Sequence, residues 1–361
     1  IEYGGHNKSI LIDMPAALSY PMNMKKYNWG FNTEPEQNLF GRSLICPRGK
    51  GLGGSSSING MIYVRGHPQD FDNWSSQGAS GWSFSDVLPY FKKMEFCENR
   101  NSPWRGKNGL IRIKTAEQKN VLHQVFSEAA IQSGYSLTED YNGYKQEGIG
   151  AAEMTIHKGN RWSAAKGYLE KITKQKNICI MTSCLADKLL FLNNKCNGLI
   201  FKRKSETFSA KCKKGVILAA GSIGNPCILQ RSGIGSPKYI AGLGIKPFQK
   251  LEGVGNNLQD HLELYFQVKC KQPISLFKDN NLLSKARIFL EWYFFRKGLG
   301  TSNQFETLGF LRTDRNQKYP NLQYHFLPLA INYDGSSPHK GHGFQFHVGT
   351  MRSKSRGTVA I

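Results

Sequence analysis

RGKGLGGSSSIN, residues 48–59, is the stretch of this 361-residue chain that says most about its fold. Glycines let backbone amides come close to a ligand, and serines add hydroxyl donors. Arg48 and Lys50 add positive charge that suits a pyrophosphate. The GxxxxGK[ST] spacing of a Walker A loop is missing. Taken alone, the same composition also suits a flexible, solvated loop, so its meaning depends on the flanking chain.

Periodicity around this stretch predicts a mixture of helices and strands. Apolar residues at helical spacing predict helices over residues 82–93, which contain Pro89, and over residues 120–133. A short apolar run, GVILAA at residues 215–220, predicts a strand buried on both faces. It leads through a glycine turn into a helix, an order typical of nucleotide-binding α/β domains. Further strands are predicted at residues 178–182, 188–192, 198–202 and 321–328.

The composition excludes several classes of protein. The net charge is +22, but the lysines and arginines are scattered, without a basic helix or an aromatic-rich basic motif, so we expect no nucleic-acid partner. Peripheral association with an anionic membrane surface stays open. The eight cysteines form no CxxC pair, so we predict neither a zinc site nor a disulfide framework.

The chain around residues 48–59 resembles the glucose–methanol–choline (GMC) oxidoreductase family. RGKGLGGSSSINGMIYVRGHPQDFDNW, starting at Arg48, resembles the family's first signature. GSIGNPCILQRSGIG at residues 221–235 resembles the second, and GVGNNLQDH at residues 253–261 resembles a third segment. The three occur in the family's order, and the resemblance covers essentially the whole chain. Four further segments resemble its choline dehydrogenase members, at residues 14–36, 301–310, 324–336 and 347–359.

The resemblance implies an α/β plus α+β fold of two interleaved domains. A Rossmann-type FAD-binding domain is expected at residues 1–64 and 151–261, without its first strand and GxGxxG fingerprint. A substrate domain built on an antiparallel sheet is expected at residues 65–150 and 262–361, incomplete at its C-terminal end. Ile58 stands where some members carry a histidine bonded to the flavin, so the FAD is expected to be non-covalent.

The resemblance also assigns cofactor-binding residues. Glu2 matches an acidic residue that holds the adenosine ribose, a suitable role because one carboxylate accepts from two hydroxyls. Ala186 matches a position whose backbone meets the adenine, and Asp260 matches a residue beside the ribityl chain. The flavin-side loop is matched by Arg48, Gly53, Gly54, Ser57 and Asn59. Without the resemblance, Glu2 would be read as a surface residue and Asp260 as a helix cap.

Four residues are candidates for the substrate site. Glu263 resembles the carboxylate that faces the trimethylammonium group in choline-oxidising members, and Tyr63 and Phe305 are candidate aromatic contacts for such a cation. His325 resembles a histidine that polarises the substrate alkoxide. The ordinary alternatives are a surface glutamate, core aromatic residues and a hydrogen-bonded core histidine. His347 lacks the proline of the family's HPxGT segment, so no catalytic role is assigned to it.

The implied activity is FAD-dependent oxidation of choline to betaine aldehyde, a step of betaine biosynthesis, with a respiratory electron acceptor. The compartment implied is the cytoplasm or the inner face of a membrane, mitochondrial in a eukaryote. The family's principal catalytic histidine is expected beyond Ile361, so this fragment alone is expected to be inactive. The alternatives are oxidation of another alcohol, a truncated and non-catalytic relic, and a basic binding protein.

Overall fold

The computed structural model describes residues 1–332 and 340–361. Its α-helices are α1 (Ile10–Asp13), α2 (Ser19–Asn23), α3 (Pro68–Ser76), α4 (Phe84–Met94), α5 (Val121–Gln132), α6 (Gly221–Arg231), α7 (Pro237–Gly242) and α8 (Leu282–Phe295). Its first strands are β1 (Phe31–Asn32), β2 (Ile45–Cys46), β3 (Glu95–Cys97), β4 (Ile111–Thr115), β5 (Gly148–Ala151), β6 (Glu153–Met154), β7 (Ile156–His157) and β8 (Asn160–Arg161). The remaining strands are β9 (Cys184–Leu192), β10 (Lys195–Arg203), β11 (Glu206–Lys211), β12 (Ile234–Gly235), β13 (Gln249–Lys250), β14 (Glu263–Lys269), β15 (Thr307–Leu311), β16 (Leu322–Leu327) and β17 (Gly343–Thr350).

Two compact units are formed from alternating segments of the chain. The smaller unit contains residues 1–6, 179–261 and 352–361, and the larger unit contains residues 7–178 and 262–351. These limits differ from the predicted domain boundaries, because residues 7–64 and 151–178 pack in the larger unit. The last residues of the 324–336 segment fall on residues 333–339, outside the described part of the chain.

The larger unit is organised by a five-stranded antiparallel sheet in the order β14-β17-β16-β15-β5. Its side chains alternate between the two faces, as the pleat requires. One face is aromatic in β16 and β17, where Phe326 and Phe346 meet Phe126 of α5. The Phe126 and Phe326 rings stack with centroids 4.6 Å apart. Helix α5 therefore covers the aromatic face and leaves the polar face for the candidate site.

A buried ionic cluster lies elsewhere in the larger unit. The Arg105 guanidinium donates to Glu95 (3.0 Å), Glu153 (2.7 Å) and Asp140 (2.7 Å). Arg65 adds a second cation, 2.6 Å from Glu95. Burial would lower the pKa of Arg105, but the hydrogen bonds and charges of the two glutamates outweigh it and raise that pKa. Charges this far from water require such pairing, so the cluster is a structural element that composition alone does not reveal.

The smaller unit contains an antiparallel sheet in the order β11-β10-β9 and the helix α6. The β9–β10 hairpin turns at Asn193 and Asn194, whose φ values are +49° and +61°. Two positive φ values are what a tight hairpin turn demands, and asparagine tolerates them well. The hairpin and α6 confirm the corresponding predictions.

Two strands that the sequence predicts, at residues 178–182 and 215–220, are absent from the structure. Residues 215–220 form no strand, and the side chain of Ile217 is 94% exposed. Residues 178–182 also form no regular strand, although Met181 accepts a backbone hydrogen bond from Glu2. A strand needs a hydrogen-bonded neighbour along its length, and the described residues supply none beside residues 215–220. An apolar run of this kind indicates a buried strand only where a neighbouring strand is present to pair with it.

Candidate active site

The polar face of the larger sheet brings a glutamate, two histidines and a tyrosine together. Across β14, β17 and β16, Tyr265, His347 and His325 are directly paired. Directly paired residues of an antiparallel ladder share a face, so the three rings form one row. Glu263 lies two residues before Tyr265 on β14, and therefore on the same face.

The carboxylate of Glu263 lies between the two imidazoles. Its Oε1 is 3.3 Å from Nδ1 of His325, and its Oε2 is 3.6 Å from Nδ1 of His347. Burial alone would raise the pKa of Glu263, but the two imidazole Nδ1 groups outweigh it and hold that pKa well below its ordinary value. The group is therefore a carboxylate anion at neutral pH.

Gln345 fixes the proton position on His347. Its Oε1 accepts from the backbone N–H of Ile331 (2.9 Å) and from Nε2 of Gln267 (3.0 Å). A backbone N–H only donates, so the amide oxygen must point there, and Nε2 of Gln345 is left to face Nε2 of His347 at 2.8 Å. That ring nitrogen accepts, which puts the proton of the neutral ring on Nδ1, facing Glu263.

The row opens onto a cavity of about 260 Å³ within the larger unit. Phe305 stands edge-on to His347, with ring centroids 5.4 Å apart, and Tyr265 stacks on His347 at 3.9 Å. The wall combines one carboxylate with aromatic and aliphatic surface. Its lining residues are Leu18, Ser19, Met22, Gly60, Ile62, Glu263, Tyr265, Phe305, His325, Ile331, Asn332, Gln345 and His347.

Three of the four predicted substrate residues, Glu263, Phe305 and His325, line this cavity. Tyr63 does not, and its predicted role as a substrate contact has no support in the geometry. Its side chain is buried beside Ile111 and Ile113, and its hydroxyl donates to Glu95 at 2.9 Å. Burial and the nearby Glu95 charge raise the pKa of Tyr63, so it stays a neutral donor within the ionic cluster.

The predicted flavin-side loop forms a tight turn in the larger unit. Gly53 and Gly54 have φ values of +90° and +53°. A Cβ at Gly49 would lie 2.2 Å from the carbonyl oxygen of Gly54, whereas a Cβ at Gly54 would enter open space. Ser57 and Asn59 brace the turn: Ser57 donates to the Leu52 carbonyl, and Asn59 accepts from the Met61 N–H. The turn thus exposes bare backbone on one side.

The other predicted cofactor residues have ordinary local contacts. Arg48 belongs to the larger unit, and its Nη1 donates to the carbonyl of Pro47. Glu2, Ala186 and Asp260 belong to the smaller unit. Glu2 accepts from the Gly4 N–H, Ala186 lies within β9, and Asp260 accepts from the adjacent His261 N–H. Among the described residues no helix begins at Asp260.

A family model described as GMC oxidoreductase matches residues 22–263. The chain belongs to the GMC oxidoreductase family. Oxygen-dependent choline dehydrogenase from Brucella anthropi is 50% identical over all 361 residues, and the one from Sinorhizobium medicae is 46% identical. The chain spans 66% of the length of each of these relatives.

Solved structures show the GMC fold as well. Pyridoxine 4-oxidase from Mesorbium loti matches 100% of this chain and 67% of its own, with a TM-score of 0.86 and 25% identity. Formate oxidase from Aspergillus oryzae matches 98% of this chain and 68% of its own, with a TM-score of 0.88 and 23% identity. These likenesses confirm the predicted fold class, an α/β flavoprotein fold combined with antiparallel sheets.

Sequence reasoning on this GMC chain missed three residues of the site: Tyr265, Gln345 and His347. His347 has no proline after it, and Tyr265 and Gln345 lie outside the segments that carry the family resemblance. The signal that was present is the alternation in GFQFHVGT, residues 343–350, which places Gln345 and His347 on one face of a strand.

Among the helices of the described residues, none has the length and apolar character that a membrane crossing requires.

Proposed function

We propose that the full-length protein oxidises choline to betaine aldehyde with a non-covalent FAD. The single observation that carries the choline assignment is the Glu263 carboxylate in a cavity walled by Phe305 and Tyr265. A quaternary ammonium ion has no N–H donors, so it is bound by charge and by aromatic faces. The names of the relatives that share half of their residues with this chain support the same substrate.

The turn at residues 48–59 fits a flavin nucleotide, because its positive-φ glycines leave backbone exposed where a Cβ at Gly54 would project. In this proposal Arg48, Gly53 and Gly54 contact the cofactor, with Ser57 and Asn59 bracing them. The family resemblance proposes Glu2, Ala186 and Asp260 as further cofactor contacts. Bound FAD supplies a hydride acceptor, which is chemistry that no side chain provides.

The residues of the cavity bind and orient the substrate. Glu263 neutralises the ammonium group, and the aromatic walls exclude water around its methyl groups. His325 is the proposed contact of the reacting oxygen through Nε2, since Nδ1 faces Glu263. Nε2 now meets the Gln323 amide at 3.1 Å, so Gln323 must turn away before Nε2 can contact the substrate.

Replacing Glu263 with Gln in the full-length enzyme tests the substrate assignment. A carboxylate about 5 Å from an ammonium ion, at an effective dielectric constant of about 20, contributes roughly 3 kcal/mol, or about 150-fold in binding. Glu263 is 31% exposed, so screening reduces the expected loss in kcat/KM for choline to about 10–100-fold.

The matched substrate is 3,3-dimethylbutan-1-ol, which has the shape of choline without its charge. We expect Glu263→Gln to leave kcat/KM for this neutral alcohol within about threefold, because uncharged contacts are unchanged. Glu128→Gln, an exposed change on α5, is the control and should affect neither substrate. Equal losses for both alcohols would mean that Glu263 does not recognise a cation, and another alcohol would then be the substrate.

We also propose an electron acceptor and a place in the cell. A respiratory carrier is the proposed acceptor, at a peripheral site on the inner face of a membrane or in the cytoplasm. Comparing turnover with a soluble quinone under argon and with oxygen alone distinguishes the two acceptors. The relic alternative predicts a full-length protein that purifies without flavin, so its absorbance spectrum decides that question directly.

A further inference from the structure

The larger unit holds Glu263 between two histidines that differ in how firmly their partners are fixed. Gln345 is 1% exposed, and its oxygen already accepts two hydrogen bonds, from Ile331 and Gln267. Turning this amide over would place its NH2 group against the Ile331 N–H, two donors face to face. A buried donor left without an acceptor is unfavourable, so Gln345 is locked.

The fixed orientation of Gln345 also fixes which ring nitrogen of His347 accepts its hydrogen bond. With Nε2 accepting from Gln345, the neutral ring carries its proton on Nδ1. The ring itself is held by Tyr265, stacked at 3.9 Å and 17°, and by Phe305 edge-on at 5.4 Å. Its side chain is only 9% exposed. The neutral His347 ring therefore presents a fixed Nδ1–H to Glu263.

The arrangement at His325 is looser. Its Nε2 meets Gln323 at 3.1 Å, and within the described residues no second hydrogen bond of Gln323 fixes which end of the amide faces the ring. Gln323 can therefore present either a donor or an acceptor. Gln323 therefore does not fix the hydrogen-bonding role of His325 Nε2, whereas Gln345 fixes that of His347 Nε2.

We propose that His347 is a positioning residue: locked by Gln345, its Nδ1–H holds the Glu263 carboxylate turned toward the cavity, ready for a quaternary ammonium group. This inference rests on the proposed function. It gives the two histidines separate tasks, with His325 facing the reacting oxygen and His347 orienting the carboxylate. The 3.6 Å contact from His347 to Oε2 is longer than a hydrogen bond, as is common before a substrate is bound.

Two amide substitutions at position 347 distinguish a role in orienting Glu263 from a role in packing. Asparagine places an NH2 group where Nδ1 of histidine stands, whereas glutamine reaches only the position of Nε2. In the full-length enzyme, His347→Asn therefore keeps a donor for Glu263 and His347→Gln removes it. Both variants are polar and of similar size, so a purely structural role would affect them alike.

The readout is the ratio of kcat/KM for choline to kcat/KM for 3,3-dimethylbutan-1-ol. We expect His347→Gln to lower this ratio about tenfold, through KM for choline rather than kcat, and His347→Asn to keep it within about threefold of wild type. Bound flavin and melting temperature are measured for every variant. Should His347→Gln fail to fold, Gln345→Met releases the same lock and is expected to lower the ratio about threefold.

An unchanged ratio in His347→Gln, or equal falls in both amide variants, would overturn the positioning role. Failure of the proposed function looks different. In that case the wild-type enzyme itself shows no preference for choline over the neutral alcohol, and Glu263→Gln leaves the ratio unchanged.

Discussion

Arg105 is the cation on which the buried ionic cluster depends, and its replacement by leucine gives the sharpest stability prediction. Leucine removes the partner of Glu95, Glu153 and Asp140 in one step. Glu95 keeps Arg65 at 2.6 Å, and the Asp140 side chain is 17% exposed, so water can solvate it. Glu153 is 1% exposed and is left with Arg100 at 3.6 Å as its nearest cation.

The expected cost follows from that one stranded carboxylate. Removing one partner of a buried ion pair costs about 3–5 kcal/mol, because the other charge stays buried. Glu153 keeps the neutral Asn142 amide at 2.8 Å and the distant Arg100, so we expect the lower part of this range. An unfolding entropy of about 2.1 cal/mol/K per residue gives about 0.8 kcal/mol/K for 361 residues, so a loss of about 3–5 kcal/mol corresponds to a fall in melting temperature of about 4–7 °C. The assay is differential scanning fluorimetry of the full-length protein at one fixed scan rate, since unfolding of large proteins is often irreversible.

Arg100→Leu is the matched control, because its partly exposed side chain makes only the 3.6 Å contact with Glu153. It should cost less than about 1 kcal/mol. Adding Glu153→Gln to Arg105→Leu should recover part of the loss, since it removes the stranded charge. Equal shifts for Arg105→Leu and Arg100→Leu, or no recovery in the double variant, would refute the reasoning.

Three further predictions concern the core, the site and the glycine turn. Trp292→Ala should cost about 3–5 kcal/mol in chemical denaturation, because the ring is 1% exposed and its Nε1 donates to the Gly159 carbonyl. Glu263 has a depressed pKa when folded, so it stabilises the protein above its ordinary pKa of about 4.3, and this contribution is lost as the pH falls further. The difference in the free energy of unfolding between wild type and Glu263→Gln is measured in urea titrations. It should therefore shrink from about pH 6 to about pH 3, a range that includes the ordinary pKa of about 4.3. Gly54→Ala should cost only about 1 kcal/mol of stability, from its φ of +53°, yet should lower bound flavin in the purified full-length protein, because the methyl group enters the proposed cofactor space.

Features fixed by neighbouring residues could be predicted from the sequence. Helix α5 matches the predicted residues 120–133, because its 3.6-residue periodicity is local. Strand β16 and the β9–β10 hairpin also match, the latter because its asparagine turn determines the register. Residues 215–220 were predicted wrongly as a buried strand, since burial depends on a neighbouring strand that an apolar run cannot specify.

The site could be predicted only where the family motifs reach. Glu263 and His325 were found through resemblance, whereas the composition around Tyr63 did not distinguish a core aromatic from a substrate contact. Its hydroxyl bond to Glu95, 32 positions away, decides for the core. His347 was missed because its importance comes from cross-strand register, which pairs it with both Tyr265 and His325.

The polar face of the sheet also explains why a carboxylate stands where it does. Buried polar groups must be hydrogen-bonded, and Gln267, Gln345 and His347 satisfy one another in sequence along β14 and β17. In this series each residue donates to the next, and the last donor, Nδ1–H of His347, faces the Glu263 carboxylate. The pKa of Glu263 is held well below its ordinary value, so a carboxylate anion stands beside the aromatic wall. In the proposed function this charge and the aromatic wall together suit a quaternary ammonium ion, which is bound by charge and aromatic faces rather than by hydrogen bonds.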